Sequence, residues 1–304
     1  GGVPTIQEVK QFDASLGGPV DRDRIWFFGA FRAARLVNGI SRRDEEIANL
    51  KALKPGFEPF NNNSRSYQPY AKVTSQLTSR HEFSGIFQYD RQRNNSDREL
   101  EADRLNYSGY GGSMVTARLS SVWANRLATQ MLVSWNNKSR ENEDTWKDLE
   151  GSGPQVLVHK STFISGGRPT GSGSIATMNN QQSINLAPAS ALTIRADLTY
   201  FLENWFGSHE IKTGLYAMPR SRYDITNVYQ NNGYVLEEVR LADPNNLSSA
   251  LIPFHRRTRT PERVQTRAAR ASDIALYVQD SWKPTPRLTT TAGVRVDVIR
   301  RKNA

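Results

Sequence analysis

The connections between the predicted strands alternate in length, and this alternation constrains the fold more than any other feature. Tight turns join long amphipathic strands at Pro19 to Arg24, Thr78 to His81, Ala124 to Leu127, Phe206 to His209 and Lys283 to Arg287. Between them lie long polar stretches, at about residues 37–66, 94–108, 141–190 and 224–270. Short turns at one end of a sheet and long loops at the other are typical of an outer-membrane β-barrel. A soluble β-sandwich has no physical reason to keep its short turns on one side.

Strict alternation of apolar and polar residues identifies the strands. From Leu192 to Leu202 and from Leu288 to Val298, every second residue is apolar and the residues between are mostly polar or charged. One strand fits less well, because Leu276 and Val278 share a face with Asp280. We expect strands of about 10–13 residues, since ten residues tilted by ~40° rise about 26 Å, the height of a barrel's apolar band.

The predicted fold class is therefore all-β. We expect a transmembrane antiparallel β-barrel with about 10–12 strands, short periplasmic turns and long extracellular loops. The loops are rich in Asn, Ser and Gly, and we expect that they cannot bury a core of their own. Residues 151–190 are either partly disordered or carry a short hairpin at Val156 to Ile164.

Composition excludes several classes of protein and site. The 304-residue chain has no cysteine, so it has no disulfide framework, thiolate metal site or cysteine nucleophile. No stretch approaches the ~18 apolar residues of a membrane helix. Residues 1–20 lack the apolar core of a signal peptide. We interpret residues 1–304 as one domain that is an internal piece of a longer polypeptide.

No catalytic, cofactor-binding or metal-binding set can be assembled from the sequence. The four histidines, His81, His159, His209 and His255, are scattered, and none has a second ligand at metal-binding spacing. Nucleic-acid binding is not expected either, because the strand aromatics follow the apolar positions and so face lipid. We therefore predict that the chain is not an enzyme and has no cofactor.

Three sets of residues are candidates for function. Charged residues on the polar face of the strands should point into the barrel, where they either stabilise the wall by cross-strand pairing or contact a plug that opens during transport. They are Lys72, Arg118, Arg195, Asp197, Glu203, Lys212, Arg295 and Asp297. Trp residues near the turns fit an aromatic girdle on the periplasmic side. They are Trp123, Trp205 and Trp282.

The third set is a block of arginines in the last long polar stretch of a chain whose net charge is +10. It consists of Arg256, Arg257, Arg259, Arg263, Arg267 and Arg270. We place the block in an extracellular loop. It either contacts an anionic ligand or phosphorylated surface lipid, or it is a solvated loop without a partner.

Several segments also resemble a known family. FDASLGGPVDRDRIWFFGAFRAAR (12–35) is similar to the segment that begins the barrel in TonB-dependent outer-membrane receptors of the Oar-like type. YAKVTSQLTSRHEFSGIFQYDRQ (70–92) resembles the next hairpin of those proteins. GSHEIKTGLYAMPRSRYD (207–224) and IALYVQDSWKPTPRLTTTAGVRVD (274–297) resemble later ones. The resemblance touches most predicted strands but not the loops.

This resemblance implies a 22-stranded barrel closed by an N-terminal plug, with import driven by the TonB complex. Residues 1–304 would then be a partial barrel, about half of the whole and without its signal peptide, plug and C-terminal strands, in the outer membrane of a Gram-negative-type bacterium. It would take part in the active uptake of a bulky nutrient, an iron chelate, an oligosaccharide or a peptide. Its partners would be outer-membrane lipid, that unknown nutrient and the TonB complex, which acts through the absent plug. The alternatives are a passive barrel or surface adhesin, and a soluble carbohydrate-binding β-protein.

Overall fold

The computed structural model describes residues 6–39, 43–53, 55–57, 59, 61–96, 106–141, 155–178, 183–229, 234–258 and 264–303. These residues form fourteen strands and one helix. The first elements are β1 (Ile6–Asp21), β2 (Ile25–Asn38), α1 (Asp44–Leu53), β3 (Asn62–Thr78), β4 (His81–Ser96), β5 (Asn106–Ala124) and β6 (Leu127–Glu141). Then follow β7 (Gln155–Ser165), β8 (Arg168–Met178), β9 (Ser183–Leu202), β10 (Ser208–Tyr229), β11 (Tyr234–Leu241), β12 (Leu251–Thr258), β13 (Val264–Thr285) and β14 (Leu288–Asn303). No helix in the described ranges is both long and apolar enough to cross a membrane.

Ten of the strands form one sheet in the order β1-β2-β3-β4-β5-β6-β9-β10-β13-β14, and every neighbouring pair is antiparallel. The predicted all-β fold and the count of ten to twelve barrel strands are confirmed. All five tight turns lie at one end of this sheet, because the strands that lead into them, β1, β3, β5, β9 and β13, occupy alternate positions in an antiparallel order and so run in the same direction. β1 and β14 are its two edge strands.

The strands are longer than predicted. In the ten-stranded sheet they run from 14 residues in β2 to 22 in β10 and β13. The expected 10–13 residues account only for the part with an apolar face, and the pairing continues into stretches that we assigned to loops. The physical reason is that ladder hydrogen bonds do not require apolar side chains, so a paired strand continues above the apolar band.

The two faces of the sheet differ in polarity. We call the face that carries Lys72, Arg118, Arg195 and Arg295 the inner face, since the register places them all on one side. This face is concave, because residues from β3 through β13 line a single hollow on it. The outer face carries most of the exposed apolar side chains, such as Phe27, Val115, Met131, Leu276 and Val296.

The remaining four strands form a second sheet in the order β12-β11-β7-β8, which we call the loop sheet. It is built from two long connections, since β7 and β8 lie between β6 and β9, and β11 and β12 lie between β10 and β13. β11 and β7 pair in parallel and so join the two connections. Only four residues separate Met178 from Ser183, and four separate Tyr229 from Tyr234. At ~3.5 Å per residue this holds the loop sheet within about 18 Å of those strand ends, opposite the tight turns.

The loop sheet has its own hydrophobic core. Leu50 of α1, Phe57, Val158 of β7, Ala176 of β8 and Val239 of β11 form one buried cluster. The expectation that the long loops cannot bury a core is therefore wrong for these segments. The expectation failed for a physical reason. The core is shared by three segments that are far apart in sequence, and no single segment has enough apolar residues to indicate a core by itself.

The hairpin expected at Val156 to Ile164 is displaced. That segment is part of one strand, β7, and its partner is β8. The turn is Gly166-Gly167, with φ of +58° and +75°, values that glycine adopts at no steric cost. β11 pairs with β7 only from Gln155 to His159, so the rest of the hairpin extends beyond the sheet as a two-stranded ribbon.

Truncating the shared core should loosen the loop sheet as a unit. Phe57 is 1% exposed, and Phe57→Ala should remove about 3–5 kcal/mol of local stability. We expect amide hydrogen exchange to accelerate in β7, β8, β11 and β12 together, with β9, β10 and β13 unchanged. Ser172→Ala, at an exposed position of β8, is the matched control. Faster exchange in only one of the two connections would contradict a shared core.

Candidate functional site

Most of the predicted inward-facing charges do share the inner face, but they do not form one cluster. Arg195 and Asp197 of β9, Lys212 of β10 and Arg295 of β14 line the two adjoining hollows on this face. Lys72 of β3 and Arg118 of β5 lie on the same face and line neither hollow. Asp297 shares the face and is bound to Arg295. Glu203 lies outside the strands, in the turn that follows β9. Its carboxylate is 3.9 Å from the guanidinium of Arg126.

The centre of the site is the carboxylate of Asp197, which is bound on both oxygens. Tyr277 of β13 donates its hydroxyl to Oδ1 at 2.6 Å, and Arg195 donates Nε to Oδ2 at 2.6 Å. The side chain of Asp197 is 16% exposed, against 57% for Arg195. The carboxylate is therefore held in place while the guanidinium remains open to the hollow.

A glycine makes the contact between Tyr277 and Asp197 possible. Gly214 of β10 is the direct partner of Asp197 on one side and of Tyr277 on the other. A Cβ at this position would lie 2.6 Å from the Tyr277 ring and 2.7 Å from Asp197 Oδ1. Tyr277 thus reaches across a strand that has no side chain there. The sequence analysis missed Tyr277, although its alternation with Leu276 and Val278 indicates a polar-face tyrosine.

Three ion pairs of the inner face run along single strands, whereas Arg32–Asp13 and Lys138–Asp90 cross between strands. Arg195 pairs with Asp197, Lys212 with Glu210 at 2.8 Å, and Arg295 with Asp297 at 2.8 Å. Residues two apart on a strand point to the same face, so long basic side chains reach them easily. These three pairs therefore differ from the cross-strand pairs that we considered from the sequence.

The hollow beside Asp197 has a volume of about 580 Å³ and lies towards the tight turns. Among the residues that line it are Gln76, Glu82, Ser120, Gln130, Arg195 and Lys212. It presents donors, acceptors and both signs of charge. Such a wall binds polar surfaces through hydrogen bonds and ion pairs rather than through apolar contact. Within the described ranges, no group of three or more His, Asp or Glu could hold a metal ion.

The three girdle tryptophans all lie at the tight-turn end. Trp123 is near the end of β5, Trp205 is in the turn after β9, and Trp282 is near the end of β13. They are 52%, 58% and 37% exposed. Trp123 Nε1 donates to Thr129 Oγ1 at 2.8 Å, and Trp282 Nε1 donates to the Phe206 carbonyl at 2.8 Å. An apolar ring body with a satisfied N–H suits a membrane interface.

The structure explains Asp280, the charged residue on an apolar face. Asp280 Oδ2 lies 2.7 Å from Nδ1 of His209, across the β10–β13 pair. His209 Nε2 lies 3.0 Å from the Trp205 carbonyl, and the His209 ring stacks on Trp282 with centroids 5.9 Å apart. His209 is only 8% exposed. The histidine in the turn is therefore the partner that lets Asp280 lie on the outer face.

The arginine block does not form one loop. Arg256 and Arg257 are in β12, whereas Arg267 and Arg270 are in β13. Arg259 and Arg263 lie outside the described residues. Arg256 Nη2 lies 3.2 Å from Glu237, and Arg270 Nη1 lies 2.5 Å from Asp224. Arg256 and Arg257 thus lie in the long connection between β10 and β13, where they form part of a strand of the loop sheet. The loop placement is wrong for Arg267 and Arg270, because β13 of the large sheet extends into this polar stretch.

Filling the gap at Gly214 should separate Tyr277 from Asp197. Gly214→Ala should cost about 1–3 kcal/mol, because a Cβ there overlaps side chains on both neighbouring strands. Gly29→Ala is the matched control, since Gly29 also lies in a strand of the large sheet but its nearest neighbour would be 3.9 Å away. Urea unfolding of the intact protein in lipid vesicles measures both. Equal destabilisation by the two variants would contradict the close approach at Gly214.

Replacing His209 alone should destabilise the protein more than replacing both His209 and Asp280. His209→Leu should cost about 1–3 kcal/mol, because it leaves the Asp280 carboxylate without its partner on an apolar face. The double variant His209→Leu/Asp280→Leu should recover most of this loss. The same unfolding assay reports the coupling. If the free energy of unfolding lost in the double variant equals the sum of the losses in His209→Leu and Asp280→Leu, the pair does not stabilise the wall.

Comparison with known proteins agrees with this architecture. Residues 48–302 match the family model described as outer membrane beta barrel domain. The outer membrane transporter YddB from Escherichia coli has a TM-score of 0.59 at 10% identity, over 97% of this chain and 35% of that one. FpvA of P. aeruginosa, bound to heterologous pyoverdines, has a TM-score of 0.58 at 12% identity, over 97% and 36%. No curated protein matches significantly.

A third structure, the ferric-catecholate import receptor Fiu from E. coli K12, has a TM-score of 0.54 at 13% identity, over 97% of this chain and 45% of that one. The chain thus spans less than half the length of the solved structures that it resembles. At these identities, the likeness concerns the fold alone. It confirms the barrel fold expected from the resemblance, and the family match confirms the location in the outer membrane. The chain belongs to the outer membrane β-barrel domain family.

Proposed function

We propose that this chain forms part of the barrel wall and the surface loops of an outer-membrane receptor, and that this receptor takes up a bulky nutrient actively. The observation that carries the proposal is the concave inner face, with its paired charges around Asp197 and Tyr277 and its hollow of about 580 Å³. A wall that only has to separate lipid from water needs polar residues there. It does not need a carboxylate bound on both oxygens by side chains from two different strands.

The held carboxylate of Asp197 and the exposed guanidinium of Arg195 suit a protein surface that must bind and then release. Charge pairs at a partly hydrated surface are individually weak, so a set of them can separate without a large cost. This supports a plug region, outside this chain, as the partner of the inner face, with energy for its movement supplied through the TonB complex. Outer-membrane lipid is the partner of the outer face.

The loop sheet is the best candidate for the surface that meets the nutrient. It lies opposite the tight turns, and its packed core gives a fixed shape to segments that would otherwise lose conformational entropy on binding. An iron chelate, an oligosaccharide and a peptide are all compatible with its mixture of polar and charged residues. Among the arginines of the predicted block, Arg257 of β12 is exposed on this sheet and is a candidate contact for an anionic ligand.

Transport is tested in cells. A strain that lacks the gene is compared with its parent for uptake of labelled iron chelates, oligosaccharides and peptides, with and without a protonophore. We expect loss of uptake for one of these classes in the deletion strain, and the same loss in the parent when the protonophore is present. Uptake that resists the protonophore would identify a passive barrel. An unchanged uptake profile together with lost surface attachment would identify an adhesin.

The role of the inner face is tested by Arg195→Gln/Asp197→Asn in the intact protein. This double variant removes both charges and leaves a polar side chain at each position, isosteric at Asp197 and shorter at Arg195. We expect uptake to fall at least fivefold at an unchanged protein level in the outer membrane, because about 1 kcal/mol of a partner contact is lost. Arg287→Gln, in the turn before β14, removes an exposed charge elsewhere and is the control. Unchanged uptake in the double variant would assign these residues to wall stability alone.

A further inference from the structure

The inner face of β2 carries two exposed aromatic side chains, although that face is mostly polar. Trp26 and Phe28 are 36% and 44% exposed. The register places both inside, since Phe28 is the direct partner of Lys72 and Trp26 that of Thr74. Tyr70 of β3 lies on the same face, and its ring meets the Phe28 ring at 64°, with the two centroids 6.0 Å apart. We call Trp26, Phe28 and Tyr70 the aromatic strip.

The aromatic strip does not serve the packing of the wall alone. Burying an aromatic ring is worth about 1.5–3 kcal/mol, and more than a third of the surface of Trp26 and of Phe28 stays exposed on a hydrated face. Single exposed apolar side chains are normal on any protein surface, whereas contiguous groups mark binding surfaces. The strip is therefore a candidate contact for a molecule that enters the barrel.

A hollow of about 380 Å³ adjoins the strip on the inner face. The side chains that point into it form two rows of direct cross-strand partners. One row is Ser15, Ala30, Tyr70 and Gln88, and the next is Asp13, Arg32 and Gln68. Because Ser15 and Ala30 are small, they leave open space beside the Tyr70 ring and beneath the polar side chains of the second row.

The polar groups of this hollow offer donors and acceptors without a net charge. Arg32 Nε donates to Asp13 Oδ1 at 2.6 Å, so one cation and one anion compensate each other. Gln68 and Gln88 are exposed, and within the described ranges neither amide makes a hydrogen bond. Lys72, the next inward-facing residue of β3, does not line the hollow. An anionic chelate would need cations in excess. The hollow instead suits an uncharged polar ligand.

Uncharged sugars combine the two properties that the hollow and the strip require. Every sugar hydroxyl both donates and accepts hydrogen bonds. Guanidinium, carboxylate and amide groups each present two polar atoms in one plane, which suits two neighbouring hydroxyls. The C–H bonds on the flat side of a pyranose ring carry a small positive charge and pack against the negative face of an aromatic ring. A simple anion would use the polar groups but not the rings.

The hollow lies in the half of the wall that is nearer the long connections. Gln68 is ten positions from Thr78, the last residue of β3, and Arg32 is seven from Ile25, the first residue of β2. At ~3.4 Å per residue and a tilt near 40°, these residues are about 18–26 Å above the tight turns. The hollow of about 580 Å³ instead reaches the turn residue Arg80. Since the long connections of such barrels face outwards, an entering nutrient meets the smaller hollow first.

We propose that this hollow and the aromatic strip bind a neutral oligosaccharide. One sugar ring stacks on Tyr70 and bonds to the polar rows, and the following rings lie on Phe28 and Trp26. Arg32 and Trp26 are six positions apart on β2, about 20 Å, so the site holds several sugar rings in succession. The inference rests on the proposed function, because it selects one of the three classes of nutrient.

Binding is measured by isothermal titration calorimetry of the intact protein, in a detergent without a sugar headgroup. The probes are neutral hexasaccharides of α-1,4-glucose, β-1,4-glucose, β-1,4-xylose and β-1,4-mannose, with acidic hexagalacturonate for comparison. We expect a neutral hexasaccharide to bind, and Tyr70→Ala to weaken its affinity about tenfold, because a stacking ring is lost. Tyr70→Phe keeps the ring and should keep most of the affinity. Tyr67→Ala removes a 47% exposed ring from the opposite face of β3 and is the matched control.

Two further variants separate the hollow from the strip. Gln68→Leu/Gln88→Leu should weaken the hexasaccharide about tenfold, because two amides no longer bond to its hydroxyls. Trp26→Ala should weaken the hexasaccharide but not the disaccharide of the same linkage, which is too short to reach from the polar rows to this ring. An equal loss for both lengths would contradict a strip that holds successive sugar rings.

The proposal is overturned if none of the neutral hexasaccharides binds, or if hexagalacturonate binds more tightly than all of them. Unchanged sugar affinity in Tyr70→Ala, with unfolding at a lower urea concentration, would assign the strip to contact with the plug and would also overturn it. Protonophore-sensitive uptake of an iron chelate or a peptide, without sugar binding, would refute this inference and leave the proposed function intact. Sugar binding without protonophore-sensitive uptake would refute active transport and leave the sugar site intact.

Discussion

The structure depends on one constraint: in a membrane, every backbone N–H and C=O must find its partner within the protein. The ten-stranded sheet meets this constraint between its neighbouring strands through antiparallel ladders, while the outward edges of β1 and β14 are unpaired among the described residues. The ladders fix which side chains share a face. Because the side-chain period is two, a strand that places Val115 against lipid must place Thr116 inside. The apolar outer wall and the polar hollow are both consequences of this single alternation.

The alternation is also why much of the fold could be predicted from the sequence. The strands from Leu192 to Leu202 and from Leu288 to Val298 show their faces directly, and the five tight turns define one end of the sheet. The class of fold, its antiparallel order and the shared inner face of Arg195, Lys212 and Arg295 follow from this pattern. Where a strand has polar residues on both sides, as β3 does near Asn62, the pattern ends before the pairing does. The strand ends were therefore predicted wrongly.

The features that were missed depend on contacts between distant segments. Tyr277 binds Asp197 only because Gly214 lies between them, and a glycine in a strand does not indicate which ring will cross it. His209 and Asp280 are 71 residues apart in sequence, so the reason for a charge on an apolar face becomes visible only in the β10–β13 register. The loop sheet is the clearest case, since its core joins α1, β7, β8 and β11.

The ribbon at the end of the β7–β8 hairpin stands apart from that shared core. Beyond His159 its two strands pair only with each other, and its tip carries Phe163 and Ile164, which are 52% and 71% exposed. A change of length there leaves the buried cluster and the barrel register untouched. Exposed tips of this kind are where chains best tolerate insertions. The ribbon is thus the part of the surface whose length and sequence could change most freely without redesigning the fold.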